Sequence, residues 1–130
     1  MVIGMPDIKD DLARAARALD AAEHNLGEFG DFFTAANRAF VACESTVYAY
    51  LGKVLGNAPK SRARLQANLS SLRPELKRVY DQSYDLRVQA DYGRASRFIL
   101  LNKENVRNTL NKIKLFHTEI SRMIEESVKK

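Results

Sequence analysis

Residues 31–59 read DFFTAANRAFVACESTVYAYLGKVLGNAP, and the spacing within them decides the fold. Asp31 stands where an N-cap carboxylate can accept the first unpaired N–H groups of a helix. From there Phe33, Ala36 or Asn37, Phe40, Cys43 or Glu44, Val47, Leu51 and Val54 recur at three-and-four spacing, which marks one helical face. Ala35, Ala36, Ala39, Ala42, Cys43 and Ala49 are small enough for a neighbouring backbone to come close. Gly56-Asn57-Ala58-Pro59 then stops the helix. Phe33, Phe40, Val47, Tyr48, Tyr50 and Leu51 give this segment more apolar surface than one stripe needs, so the expectation is a homodimer that buries the surplus.

Outward from this segment the same period continues. Before it, Ile8, Leu12, Ala15, Leu19, Ala22 and Leu26 form one stripe. Pro6 suits the first helical position, Asp7, Asp10 and Asp11 crowd the positive end, and Gly27 and Gly30 are expected to end the helix. After it, Leu65, Leu69 and Leu72 predict a short helix that Pro74 interrupts, because proline cannot continue a helix without losing a hydrogen bond. Leu76, Val79 and Tyr80 carry on beyond the proline, followed by Tyr84 and Leu86, and residues 90–97 read as a turn or loop. Asn102 caps a last helix with Val106, Leu110, Ile113, Phe116 or His117, Ile120, Met123 or Ile124 and Val128 as its stripe. The fold expected is all-α: one domain over 1–130, an antiparallel helical bundle of four principal helices plus a short fifth.

A chain of 130 residues can bury a core without staples, and one cysteine, Cys43, excludes an internal disulfide framework. Met1 to Met5 is apolar, but charges follow at once, so no secretory leader is expected. No apolar run is long enough to span a bilayer. The expectation is a cytoplasmic protein with no membrane association.

Charge is unevenly distributed. Residues 7–31 carry seven acids against three bases. Residues 53–97 reverse this, with ten bases (among them Lys53, Lys60, Arg62, Arg64, Arg78 and Arg97) against four acids. Such a stretch attracts phosphates through counterion release; the plainer alternative is a solvated helix face.

Enzyme signatures are weak. Gly52-Lys53-Val54-Leu55-Gly56 with Lys60-Ser61 has the wrong spacing for a phosphate loop and no preceding strand. His24 and His117 lie on different helices with no nearby cysteine and no Glu-x-x-His pair, so both read as structural, and no metal or cofactor is expected. Cys43 reads as a small core residue.

One stretch is more specific. Leu86-Arg87-Val88-Gln89-Ala90-Asp91-Tyr92-Gly93 resembles the Arg-x-x-Ala-Asp-Tyr signature of one branch of the HEPN domains (higher eukaryotes and prokaryotes nucleotide-binding). Ala36-Asn37-Arg38-Ala39-Phe40 is similar to that branch's Asn-Arg-aromatic pattern. Gly56 to Lys60 falls where its hairpin turns, and Phe116 with Ile120 resembles its closing helix, so the likeness spans residues 8–125 in helix order.

The resemblance implies a dimerising bundle that binds nucleotide or RNA. It also implies the toxin side of a toxin–antitoxin pair, with a small nucleotidyltransferase as partner. Arg87, Asp91, Tyr92, Asn37 and Arg38 become the candidate binding residues. Many HEPN domains are metal-independent ribonucleases with an Arg-x(4–6)-His motif, from which this chain departs: Arg87 plus five is Tyr92, and the next histidine is His117. Arg17 and His24 meet the spacing only on the wrong helix. Arg87 can fork a phosphate and Asp91 can accept a proton, but a tyrosine with a pKa of about 10 is a poor general acid. Arg87 and Asp91, four apart, can equally form a simple ion pair, and Arg38 can simply face outward. Weak or absent catalysis is therefore expected. The alternatives are a non-enzymatic protein-interaction module and, behind it, a ribonuclease.

Overall fold

The computed structural model describes residues 7–96 and 98–129, with side chains described to residue 127. Five helices follow one another, α1 (Ile8–Phe29), α2 (Phe32–Leu55), α3 (Arg62–Leu72), α4 (Pro74–Tyr92) and α5 (Lys103–Lys129). No strand occurs among the described residues. Four long helices and the short α3 make the all-α bundle that the periodicity predicts.

Local chemistry sets most of the boundaries. The Asp7 carboxylate accepts from the Asp10 N–H at 3.2 Å and so caps α1, which starts after Asp7; Pro6 lies outside the described residues, as do Met1 to Met5. Asp31 caps α2 through the Thr34 N–H at 3.1 Å and the Thr34 hydroxyl at 2.6 Å. Ser61 and Asn102 accept from Arg64 N–H and Asn105 N–H, opening α3 and α5. Pro74 begins α4, where its missing N–H costs nothing.

Two boundaries differ from expectation. Gly27 does not end α1: the helix runs through it to Phe29, and Gly30 turns the chain at φ 64° while the Asp31 N–H bonds back to the Asn25 carbonyl. Residues 90–92 are helical rather than looped, because α4 continues until Gly93 adopts φ 65°. Leu86 to Tyr92 are thus presented from a rigid helix.

The long helices run antiparallel in the pairs α1–α2, α2–α4 and α1–α5, which leaves α2 and α5 parallel. A two-residue turn joins α1 to α2, and their alanines (Ala15, Ala18 and Ala22 against Ala35, Ala36, Ala39 and Ala42) are all buried, as close backbone approach requires. Between α2 and α4, Asn37 meets Asp91, Phe40 meets Tyr84 and Tyr50 meets Arg73, so the chains run in opposite senses. Between α1 and α5, Glu23 binds Arg107 and the Leu12 carbonyl meets His117. Helix α3 packs on α4, burying Leu65 and Leu69.

Helix α2 is central, touching α1, α4 and α5. Most of its extra apolar surface is consumed there: Phe40, Val47, Tyr50 and Leu51 are buried within the chain and Tyr48 is half-buried. The surplus read as a dimer face is the inward surface of a three-sided helix, while Phe33 and Val54, at its two ends, are exposed. The α5 stripe buries Val106, Leu110, Ile113, Ile120 and Ile124; Val128 lies outside the described side chains. No helix among the described residues is long and apolar enough to cross a membrane.

Candidate nucleic-acid interface

The antiparallel register of α2 and α4 puts Asn37 opposite Asp91, and five sequence-selected residues converge there. The Asn37 amide donates to Asp91 Oδ2 at 2.8 Å, and its carbonyl accepts from Arg38 Nε and Nη2 at 3.0 and 2.7 Å. Arg87 Nε donates to the same Asp91 oxygen at 3.2 Å. An unbroken chain, Arg38–Asn37–Asp91–Arg87, therefore links two helices. Tyr92 adjoins it, with the Arg87 and Arg94 guanidinium carbons 6.0 and 5.9 Å from its ring centre.

Arg87 is the most informative member. Its Nε is held by Asp91, and its guanidinium lies 5.2 Å from the Phe40 ring centre. Among the described residues neither of its terminal amino groups has a hydrogen-bond partner. An ion pair thus orients the arginine and leaves its fork available. Tyr92 is 61% exposed, enough for a planar ligand to reach its face.

A second polar residue of α2 was within reach of the same reasoning. Glu44 is half-buried in an apolar helix, like Asn37, and belongs to this face. Burial raises its carboxyl above the ordinary value, and the nearby charges of Arg87, Arg14 and Arg62 oppose that rise. Arg62 lies 3.5 Å from the Tyr84 ring centre, and Tyr84 packs against Phe40 at 5.5 Å. Two packed aromatic rings, Tyr84 and Phe40, are therefore flanked by Arg62 on one side and Arg87 on the other.

Asp85 and Gln89 had no sequence signal of their own, yet they build the adjoining wall. Buried Asp85 accepts on Oδ2 from Ser96 Oγ at 3.1 Å and from the Phe98 and Ile99 N–H groups at 2.9 and 3.0 Å. The Gln89 amide donates to the Ile99 carbonyl at 2.7 Å and accepts from the Leu101 N–H at 2.9 Å. The segment after α4 is pinned by two side chains one turn apart.

The other candidates stay apart from this face. His24 lies 3.4 Å from Glu28 with its ring edge-on to Phe29, and the His117 ring bridges to the Leu12 carbonyl. Cys43 is buried, which pushes its thiol up to about 12 and keeps it protonated. Gly52–Leu55 form the last turn of α2, with no loop to cradle a phosphate. No three His, Cys, Asp or Glu side chains converge as a metal set among the described residues. Of the basic stretch, Arg97 lies outside the described residues.

The fold and this face define a class: an all-α bundle carrying an oriented arginine–aromatic surface. The chain matches no family model and no curated protein.

Proposed function

We propose that this bundle is an RNA- or nucleotide-binding protein of HEPN-like type that holds phosphate and base without cleaving. The observation that carries the reading is the Arg87 side chain: fixed through Nε, flanked by Phe40 and Tyr92, and with its terminal amino groups unengaged among the described residues. Arginine forks bind phosphates bidentately, and exposed aromatic rings stack bases with little sequence preference. Arg38 and Arg94 add positive charge beside it.

Cleavage is not part of the reading. Metal-free hydrolysis needs paired proton donors and acceptors, and beside Asp91 the network offers as donors only arginines and an amide, which do not give up a proton near neutral pH. Neither histidine adjoins the network among the described residues. The proposal includes a cytoplasmic location and the toxin-side role beside a nucleotidyltransferase that the resemblance implies.

A second reading, a protein-interaction module, is favoured by exposed apolar groups at one end of the bundle. Phe29 and Phe33 flank the α1–α2 turn, Tyr92 ends α4 and Leu100 precedes α5. A homodimer would bury this end rather than the middle of α2.

Fluorescence anisotropy with a single-stranded RNA tests the reading. With Arg38, Arg87 and Arg94 each neutralising one phosphate, log K should fall with log salt at a slope of about −2, at ~0.7 per contact. Arg87→Ala should reduce that slope by about 0.7 and weaken binding, while costing no more than ~1 kcal/mol of stability for its exposed pair. Binding absent at low salt, or a loss of melting temperature with unchanged affinity, would leave Arg87 as a structural partner of Asp91 only.

A further inference from the structure

We propose that Glu44 is a proton-controlled counter-ion of the Arg87 surface: charged, it repels a ligand phosphate from the arginines, and protonated, it yields them. The inference rests on the RNA-binding reading and adds its regulation.

The geometry begins on α2. Between residues 35 and 52 only Asn37, Arg38, Val41, Glu44 and Tyr48 escape full burial. Asn37, Val41, Glu44 and Tyr48 follow one another at four-and-three spacing, so the central helix keeps one strip open to water. Asn37 belongs to the Arg87 network, and Glu44 stands about two turns further along the same strip.

A half-buried carboxylate is ordinarily paired, because taking its charge out of water is costly. Asp91 accepts from Asn37 and Arg87, and Glu23 from Arg107 and Lys114. Glu44 differs: among the described residues it forms neither a hydrogen bond nor an ion pair. Three cations act on it from three other helices, Arg87 of α4, Arg14 of α1 and Arg62 of α3. Arg14 is bound to Asp11 at 2.9 Å, and Arg62 lies over Tyr84 with Tyr80 as a hydrogen-bond neighbour. Arg87 has its terminal amino groups unengaged among the described residues, so it is the cation a ligand and Glu44 share.

The strip has few other groups that titrate. Burial pushes the Tyr48 hydroxyl up from 10.0 and that of Tyr80 up to about 12, so both keep their protons. Burial also raises Asp11, whose carboxylate is tied to Arg14. Glu44, raised by burial above an ordinary 4.5, is the unpaired group whose charge changes in mild acid. Affinity for a polyanion should therefore rise as pH falls through that raised value and level off below it.

Fluorescence anisotropy of the whole chain with a single-stranded oligouridine, at constant low salt from pH 8 down to pH 5, tests the assignment. Uracil and phosphodiesters keep their charge over this range. At pH 8 Glu44→Gln should bind about fivefold more tightly than the parent, the effect of removing one nearby like charge. The two affinities should converge towards pH 5, and Glu44→Asp should keep the parent's pH dependence. His24, His117 and Asp11 titrate in both proteins, so the difference between the curves belongs to Glu44. Glu44→Gln should also melt no lower than the parent at pH 7, since burial disfavours the charge it removes. A lower melting temperature, parallel curves, or a Gln variant that binds no tighter at pH 8 would overturn the proposal. Binding that Arg87→Ala weakens but Glu44→Gln leaves unchanged refutes the role of Glu44 alone. No binding by either protein at any pH refutes the RNA reading and this inference together.

Discussion

At Arg87, ion pair and ligand fork are not rival explanations. Asp91 takes Nε and Asn37 takes up the same carboxylate oxygen, so the pair is the device that orients the fork. The sequence left these two accounts level because a spacing of four says only that the side chains can meet. Glu23 is the opposite case, a carboxylate whose partners are wholly structural. Its hydrogen bond from Arg107, then that from Lys114, holds it down to about 2 from an ordinary 4.5. A lowered folded-state pKa stabilises above the ordinary value and is lost as pH falls through the folded one. Glu23→Gln should therefore lower the melting temperature at pH 7, and the gap from the parent should close between about pH 4.5 and 2. A gap independent of pH would show that the α1–α5 bridge adds nothing through its charge.

At the scale of the helix, the two glycines near the end of α1 separate what composition and geometry each reveal. Both read as stops, yet only Gly30 has the positive φ that favours glycine. Gly27 is helical, and a β-carbon there would meet only Glu23 Oε2 at 3.8 Å. Gly27→Ala should stabilise by about 0.5–1 kcal/mol, whereas Gly30→Ala should cost about 1 kcal/mol or more. Thermal melts of the two variants check this, and shifts of the same sign would contradict the boundary. The α4 end misled for a related reason: Asp91, Tyr92 and Gly93 have turn composition, but Gly93 alone makes the turn. Caps at Asp31 and Asn102 were legible because their chemistry is local, whereas the Ser61 cap of α3 was not read. The roles of Asp85 and Gln89 were not, since their partners lie ten or more residues away in a segment without periodicity.

Across the whole molecule, one end of the bundle gathers what the separate helices could not announce. The start of α2, the end of α4 and the start of α5 meet there, bringing Asn37 and Arg38 to Arg87, Asp91 and Tyr92. The bundle class followed from periodicity, and the network from motif residues placed by an antiparallel register. The apolar surplus of α2 was read correctly as surplus but assigned outward, because a sequence does not show how many neighbours a helix has. Here α1, α4 and α5 absorb it. The central claim is that this end of the molecule receives nucleic acid, and amide chemical-shift mapping with a single-stranded RNA tests it most directly. The account predicts shifts concentrated at residues 37, 38, 87 and 91–94 that fade as salt rises. Shifts confined to other surfaces, or none at low salt, would contradict it.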